Sequence, residues 1–286
     1  MDDGIPMKVT KGKIKVDRFL VPYRIYGQGH QFFVCVNGAQ QTMAAWRSVV
    51  SFFSKDYRML LFDMPGQGRA QILSGSGDVT VDEQVRVVQQ VLLRQIAPGK
   101  SIVVGASWGG IVVAVFASRF PHLIDKIILA SFGIRTSEKL SMVIRKGVQL
   151  YENGQEHKVA DLIIKNFGQH LSDAYKKRVY DQFSSINKEQ FQTFYEHGKL
   201  LISSQHINEV VDLRSIKAQT LIINGANDTI MDLRDMKIAS AQIPNCEVRL
   251  VPGVGHFLHN ESEVVLRIYK DFLSSPSLSR AEVVPV

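Results

Sequence analysis

The 286-residue sequence predicts an α/β fold with a mostly parallel central sheet and helices on both faces. Short apolar runs rich in β-branched residues recur along the chain and end near Gly, Pro, Asp or Asn, as strands buried on both faces do. Longer segments with helical spacing separate these runs, and such alternation favours parallel strands joined by crossover helices. The composition is 45% hydrophobic and 21% charged, which excludes disordered, collagen-like and coiled-coil chains.

The strand candidates follow one another in a simple order. The opening segment, residues 7–27, alternates in the manner of an antiparallel pair, which we expect at one edge of the sheet. Six compact runs are predicted to be buried parallel strands: residues 32–36, 59–62, 102–104, 127–130, 221–223 and 248–251.

Helices are predicted between these strands. Thr80 and Glu83 form a capping-box pattern, and apolar residues follow at helical spacing as far as Ile96. Further helices are predicted at residues 108–119, 232–242 and 261–273.

One segment, residues 133–212, breaks the alternation. It has no convincing strand run, it is helical in pattern, and it is rich in Phe and Tyr. We expect a helical cap lying over one end of the sheet. Residues 1–132 and 213–273 then form the core, and the Ser- and Pro-rich residues 274–286 form a flexible tail.

The charge and the cysteine content exclude few classes of function. The net charge of +7 lies mostly in residues 1–132 and is too scattered to indicate nucleic-acid binding. Cys35 and Cys246 cannot form a disulfide framework and are expected to be interior thiols. No signal-peptide pattern and no long apolar window is visible, so we expect a soluble, cytoplasmic protein without a transmembrane segment.

The strongest chemical signal is the sequence Gly105-Ala106-Ser107-Trp108-Gly109. It follows a predicted strand directly and precedes a helix rich in small residues, which is the context of a nucleophile elbow. The tight turn admits only small residues around the serine, so Gly105 and Gly109 are assigned to the elbow. Ser107 is the candidate nucleophile.

A serine hydroxyl needs a base and an orienting acid, and on this scaffold both follow it in the order acid, then histidine. Asp228 lies just after the strand 221–223, and His256 lies just after the strand 248–251. The carboxyl ends of parallel strands share one sheet edge, so the sequence predicts a Ser107–His256–Asp228 triad. The backbone N–H groups of Trp108 and Ala39 are the predicted oxyanion hole.

Other polar candidates are weaker. Asp63 begins a loop that we expect to be structural. His30 and His122 are expected away from the site, and His259 is expected to be exposed at the start of the last helix. We find no metal-ligand spacing, phosphate-binding loop or dinucleotide fingerprint, so no cofactor or metal is predicted.

These motifs carry a resemblance. The chain resembles the α/β-hydrolase superfamily and is more narrowly similar to the synthases of 3-(3-hydroxyalkanoyloxy)alkanoates, which are rhamnolipid precursors, and to the related 3-hydroxyacyl-ACP:CoA transacylases. The segments that carry it are VNGAQQTMAAW at 36–46, FDMPGQG at 62–68, GASWGG at 105–110, INGANDTIMD at 223–232 and GVGHFLHNES at 253–262. Carried over, the family's nucleophile, acid and base fall on Ser107, Asp228 and His256.

The sequence also departs from these families. Asn37 stands where most hydrolases of the fold have His, and the cap lacks the His-x4-Asp motif of the transacylases, because His157 and Asp161 are one position too close. The resemblance therefore favours the synthases over the transacylases.

Several functions stay open at the level of the sequence. A triad forms an acyl-serine and passes the acyl group on, to water in an esterase, lipase or thioesterase, or to a hydroxyl in a synthase. The resemblance implies thioesters of acyl carrier protein (ACP) or coenzyme A (CoA) as substrates. Cap aromatics such as Phe191 and Phe194 are expected either to line an acyl-binding chamber or only to pack cap against core. A non-catalytic ligand-binding protein of the same fold is the remaining alternative.

Overall fold

The computed structural model describes residues 9–96, 101–203 and 207–276. Within these ranges the strands are β1 Val9–Val16, β2 Phe19–Tyr26, β3 Phe32–Val36, β4 Arg58–Phe62, β5 Gln71–Ile72, β6 Ser101–Ala106, β7 Ile124–Ala130, β8 Gln219–Gly225 and β9 Cys246–Val251. The helices are α1 Arg47–Phe53, α2 Val81–Gln95, α3 Trp108–Arg119, α4 Glu138–Glu152, α5 Glu156–Phe167, α6 Asp173–Ser184, α7 Lys188–Ser203, α8 Arg234–Ser240, α9 Leu258–Glu261 and α10 Glu263–Ser274.

The strands form one sheet in the order β1-β2-β4-β3-β6-β7-β8-β9, with the short β5 paired to β2. The first two strands pair antiparallel, β2 also pairs antiparallel with β4, and every pairing from β4 to β9 is parallel. This confirms the predicted edge hairpin and all six predicted parallel strands. The parallel arrangement brings the carboxyl ends of β3, β6, β8 and β9 to one edge.

Helices cover both faces of the sheet, as predicted. Side chains of α2, α3 and α8 join one apolar cluster with alternate strand residues such as Val34 and Val103. Side chains of α1 and α10 join the other cluster, with the intervening strand residues such as Phe33 and Val104. The predicted capping box of α2 is present, since Glu83 N donates to Thr80 Oγ1 and Thr80 N donates to the Glu83 carboxylate.

The region between β7 and β8 is helical. Four helices, α4 to α7, occupy most of residues 133–212, which we call the helical segment. Its start is held to the core by buried polar contacts. Asn224 exchanges two hydrogen bonds with the backbone of Phe132, and the buried carboxylate of Asp235 accepts from the N–H groups of Ile134 and Arg135 and from the Arg135 guanidinium.

One expectation about the C-terminal region is wrong. The helix predicted at 261–273 is present as α10, which begins two residues later because Ser262 adopts an extended backbone (φ −147°) and caps it by accepting from Val264 N. His259 is buried rather than exposed: it lies within the short α9, and its ring stacks on Trp46 at 4.5 Å between centroids. The tryptophan provides an aromatic face that the local sequence around His259 does not reveal.

The remaining expectations concern the thiols and the chain ends. Cys35 is buried, Cys246 is partly buried, and both are free. Most of the predicted tail falls on residues 277–286, outside the described residues. In the described ranges, no helix combines the length and apolar character that crossing a membrane requires.

Candidate active site

Ser107 lies at a sharp turn between β6 and α3. Its backbone has φ 53° and ψ −119°, a conformation that residues other than glycine rarely adopt. The flanking glycines are required by close backbone contacts. A Cβ at Gly105 would lie 2.3 Å from Gly109 O, and a Cβ at Gly109 would lie 2.4 Å from Val36 O. The strained serine between two obligatory glycines has the geometry expected of a nucleophile elbow.

His256 and Asp228 are in direct contact although they lie on different loops. The loops follow β9 and β8, and His256 Nδ1 lies 2.7 Å from Asp228 Oδ2. Both side chains are buried. Because Nδ1 faces the carboxylate, Nε2 is the ring nitrogen left to exchange a proton with a hydroxyl.

Asp228 is held in its charged form. Burial by itself would raise the pKa of this carboxyl, but the charge and hydrogen bond of His256 and the N–H groups of Ile230 and Met231 lower the pKa below its usual value. The two N–H groups donate to Oδ1, at 2.8 and 3.2 Å, which leaves Oδ2 for the imidazole. An ionised acid in this position can orient the imidazole and stabilise its protonated form.

Two further side chains hold the loop that carries His256. The Glu261 carboxylate accepts from the backbone N–H groups of Gly255 and Phe257, the residues on either side of the histidine. Ser131, which follows β7 with φ 49°, donates from Oγ to His256 O at 2.6 Å. Sequence reasoning missed both residues, although Glu261 five positions after the histidine is a local signal.

The predicted oxyanion hole lies beside the elbow. Trp108 is the first residue of α3, and the first N–H groups of a helix have no partner within the helix. Ala39 lies in the loop after β3, and both residues line the same cavity as Ser107. The neighbouring Gly38 N–H is already taken by Gln41 Oε1, at 3.0 Å. This leaves the backbone N–H of Ala39 as the predicted donor from this loop.

Asn37, which replaces the usual histidine, has a structural role. It is fully buried, its Oδ1 accepts from Trp46 Nε1 at 2.8 Å, and its Nδ2 donates to Phe62 O at 3.2 Å. These contacts tie the end of β3 to β4 and to the short helical turn before α1. The loop that carries the predicted oxyanion hole is thus supported without a histidine.

The same loop is joined to the helical segment through glutamines. Gln40 is buried with φ 54°, and its side chain donates to Gln190 O on α7, at 2.7 Å, and to Gly66 O. Gln182 on α6 donates in turn to Gln40 O. Gln40 follows Ala39 directly, so these contacts connect α6 and α7 to the loop of the predicted oxyanion hole.

An apolar cavity opens in front of Ser107, between the sheet edge and the helical segment. Ser107, Ala39 and Trp108 line its floor, and aliphatic and aromatic side chains of α4, α5 and α7 line its walls. Phe191 and Phe194 are among them, and Phe167 meets the imidazole of His256 edge-on at 4.9 Å. An apolar chamber against a nucleophilic serine can hold an alkyl chain next to the reacting carbonyl.

A buried polar network that the sequence analysis missed connects the elbow to α7. Trp108 Nε1 donates to Gln84 Oε1 at 2.9 Å, and Gln84 Nε2 lies 2.8 Å from His197 Nε2. The rings of Trp108 and His197 also stack at 4.2 Å. One signal was available, because Gln84 is the polar member of an apolar helical stripe that includes Val81, Val85 and Val88.

The remaining polar candidates are Asp63, His30 and His122. Asp63 accepts from the N–H groups of Met43 and Arg69 and so closes its loop. His30 and His122 are exposed and precede β3 and β7, at the opposite edge of the sheet from Ser107. Among the described residues, no group of three or more His, Cys, Asp or Glu side chains is placed to hold a metal ion.

Two buried imidazoles should make stability depend on pH. Burial lowers the pKa of His197 to about 3 and the pKa of His259 to about 4, whereas a histidine in the unfolded chain has a pKa of about 6.5. The unfolded chain therefore binds more protons below pH about 6.5, and stability present above that pH is lost as the pH falls toward 4. As the pH falls below about 6.5, the free energy of unfolding should decrease by up to about 2.7 kcal/mol per pH unit, which is about 1.4 kcal/mol per pH unit for each histidine.

Urea unfolding between pH 7 and 5 measures this dependence above the range in which most carboxylates titrate. His259→Gln should roughly halve the slope. A free energy of unfolding that stays constant from pH 7 to 5 would contradict the prediction.

Comparison with known proteins places the chain in a family. The model of the α/β-hydrolase fold family matches residues 31–263, and the chain belongs to this family. The structural similarity also covers most of the chain. An α/β-hydrolase enzyme from a deep-sea metagenome library superimposes with a TM-score of 0.81 at 21% identity, over 95% of this chain and all of that chain. The predicted fold class is confirmed.

Among curated proteins the similarity is lower and spans several activities. The (R)-3-hydroxydecanoyl-ACP:CoA transacylase of Pseudomonas putida is 21% identical over 84% of this chain and 83% of its own length. A 2-hydroxy-6-oxononadienedioate/2-hydroxy-6-oxononatrienedioate hydrolase of Burkholderia vietnamiensis is 24% identical over 88% of this chain and 90% of its own. The human monoacylglycerol lipase ABHD6 is 25% identical over 80% of this chain and 71% of its own length. The resemblance to 3-hydroxyacyl transacylases is confirmed, and hydrolases are also similar.

Proposed function

We propose that the protein is a serine acyltransferase that joins two 3-hydroxyacyl units, delivered as ACP or CoA thioesters, into a 3-(3-hydroxyalkanoyloxy)alkanoic acid. The observation that carries the proposal is the apolar chamber in front of Ser107, with the helical segment acting as its cap. Similarity to (R)-3-hydroxydecanoyl-ACP:CoA transacylases supports the choice of acyl group. The product would be a biosurfactant lipid precursor.

The first half of the reaction loads the enzyme. Ser107 Oγ attacks the thioester carbonyl while His256 Nε2 takes its proton, and the backbone N–H groups of Ala39 and Trp108 stabilise the oxyanion. Collapse of the tetrahedral intermediate breaks the C–S bond. The carrier leaves as a thiol with the proton from His256, and the 3-hydroxyacyl group stays on Ser107 as an ester.

The second half transfers the acyl group. The 3-hydroxyl of a second acyl thioester loses its proton to His256 and attacks the acyl carbon, which forms the new ester and restores the Ser107 hydroxyl. The joined chain is still a thioester, and its hydrolysis by the same residues consumes one water, breaks the C–S bond and releases the carboxylic acid and the second carrier as a thiol. Ester formation requires that the second hydroxyl be held in line while water is excluded, and the apolar walls of the chamber suit this role.

A hydrolase is the second candidate, because the same residues transfer an acyl group to water and because hydrolases and a lipase are among the similar proteins. A 3-hydroxyacyl-ACP:CoA transacylase is a further alternative, which the absent His-x4-Asp motif disfavours.

The deciding experiment is product analysis. The protein is incubated with 3-hydroxydecanoyl-ACP and, separately, with 3-hydroxydecanoyl-CoA, and the products are quantified by mass spectrometry, with Ser107→Ala as the blank. The dimeric ester is expected. Release of free 3-hydroxy acid alone, at every substrate concentration, would replace the synthase with a thioesterase, and acyl-CoA formed from acyl-ACP and CoA would identify a transacylase.

Truncating the walls of the chamber should shift the products. Phe191 and Phe194 both line it, so Phe191→Ala and Phe194→Ala should admit water and raise free 3-hydroxy acid at the expense of the ester. A change of about 1 kcal/mol in the relative barriers would raise the ratio roughly fivefold. The measured quantity is the acid-to-ester ratio from one thioester. Met142→Ala, an exposed side chain of α4, is the control and should leave the ratio unchanged. Unchanged ratios in both Phe variants would show that the two rings only pack the cap.

A further inference from the structure

The network of Trp108, Gln84 and His197 fixes which nitrogen of His197 carries a proton. An indole N–H can only donate, so the Gln84 oxygen must be the atom that accepts from Trp108 Nε1. The Gln84 amide nitrogen, which can only donate, then faces His197 Nε2 at 2.8 Å. Nε2 is therefore the acceptor and bears no proton.

The proton of a neutral His197 consequently lies on Nδ1. Burial lowers the pKa of this imidazole to about 3, so the ring is neutral at ordinary pH. Nδ1 has no hydrogen-bond partner among the described residues. The residue is nevertheless buried, with only 2% of its surface exposed. A buried, unpaired N–H donor is costly and rare in folded proteins, and such groups often have a functional reason.

His197 lies in the wall of the chamber that Ser107 faces, stacked on the residue that follows the nucleophile. Three other polar side chains of that wall have protein partners. Arg135 is bonded to Asp235, Thr136 donates to Leu201 O, and Ser131 donates to His256 O. His197 Nδ1–H is thus a donor without a protein acceptor in a mostly apolar wall.

We propose that His197 Nδ1–H binds an oxygen on the acyl chain in the chamber, and that this oxygen is the 3-hydroxyl. The inference deepens the proposed function and takes the identity of the oxygen from it. Since Nδ1 is covered, the lining side chains must move apart as the chain enters. The contact would make the site prefer 3-hydroxyacyl chains to unsubstituted chains of equal length, because only the former supply an acceptor for the buried donor.

Two substitutions distinguish the role of Nδ1 from the role of Nε2. The amide nitrogen of an asparagine can occupy the place of Nδ1, whereas a glutamine places its amide near Nε2. We therefore expect His197→Asn to keep the preference for the 3-hydroxy chain and His197→Gln to lose it. Tyr195→Phe, which removes a hydroxyl elsewhere in the same wall, is the matched control and should keep the preference.

The preference is measured in two ways. Calorimetry with protein carrying Ser107→Ala compares the Kd of 3-hydroxydecanoic acid with that of decanoic acid, so it needs no turnover. In the active protein, kcat/KM is compared for the two corresponding thioesters. Loss of one neutral hydrogen bond should reduce each ratio about fivefold to tenfold in His197→Gln.

The outcomes distinguish this inference from the proposed function. If both His197 variants lower binding of the two acids equally, His197 is structural and the inference is wrong, even if the ester is made. If Tyr195→Phe alone removes the preference, the inference is also wrong. Absence of 3-hydroxyacyl turnover would overturn the proposed function, while the binding ratios would still decide the role of His197.

A measurement on the unsubstituted side chain protects the test against variants that fold poorly. In protein with ¹⁵N-labelled imidazoles, His197 should show a protonated Nδ1 and an unprotonated Nε2. The Nδ1–H resonance should shift with 3-hydroxydecanoic acid and shift clearly less with decanoic acid. A protonated Nε2, or equal shifts with both acids, would overturn the inference.

Discussion

Replacing Ser107 by alanine should lower the turnover of acyl thioesters by about six orders of magnitude while leaving the fold intact. The side chain supplies the proposed nucleophile, and without it the base and the oxyanion hole can act only on water. Alanine is small enough for the turn between Gly105 and Gly109 and introduces no atom that serine lacks. The measurements are kcat/KM with 3-hydroxydecanoyl-CoA and the thermal midpoint of unfolding.

A matched control lies on the strand that precedes Ser107. Ser101 begins β6, at the opposite end from the elbow, and donates to Leu123 O. Ser101→Ala should retain near-native turnover despite a small loss of stability. Near-native turnover in Ser107→Ala would contradict the acyl-serine mechanism, and covalent labelling of the native protein by a fluorophosphonate at any other residue would do the same.

The elements of the fold and the candidate site that could be predicted are those with local signals. The elbow is contained in five consecutive residues between a strand and a helix, and Asp228 and His256 each follow a recognisable strand. Once the strands are parallel, their carboxyl ends must meet at one edge, so sequence order alone brings these residues together. The contact between His256 and Asp228 agrees with that reasoning.

What escaped prediction depends on contacts between distant segments. His197 and Gln84 are 113 positions apart, and Gln40 meets Gln190 across 150 positions. Each of these residues has an ordinary polar side chain, and nothing near it in the sequence shows that its partner is buried. The orientation of the helices in the helical segment decides which side chains reach the chamber, and helical periodicity does not contain that information.

Replacing Asp228 by asparagine should lower kcat/KM by about 10⁴-fold through the protonation state of His256. The N–H groups of Ile230 and Met231 donate to Oδ1, so the oxygen of an asparagine amide would take that side and its nitrogen would face His256. The amide would then donate to His256 Nδ1, and the proton of the neutral ring would have to lie on Nε2. That nitrogen could no longer accept the proton of Ser107.

Asp232→Asn is the control for this substitution. Asp232 lies on the same loop, but its carboxylate pairs with Arg234 and Arg135 rather than with the imidazole. Its replacement should change kcat/KM by less than about fivefold, because breaking partly exposed ion pairs costs only about 1 kcal/mol or less. If Asp228→Asn and Asp232→Asn had equally small effects, His256 would not depend on Asp228 and another acid would have to orient it. A large loss in Asp228→Asn alone, with an unchanged thermal midpoint, would instead show that the 2.7 Å contact acts through the tautomer of His256.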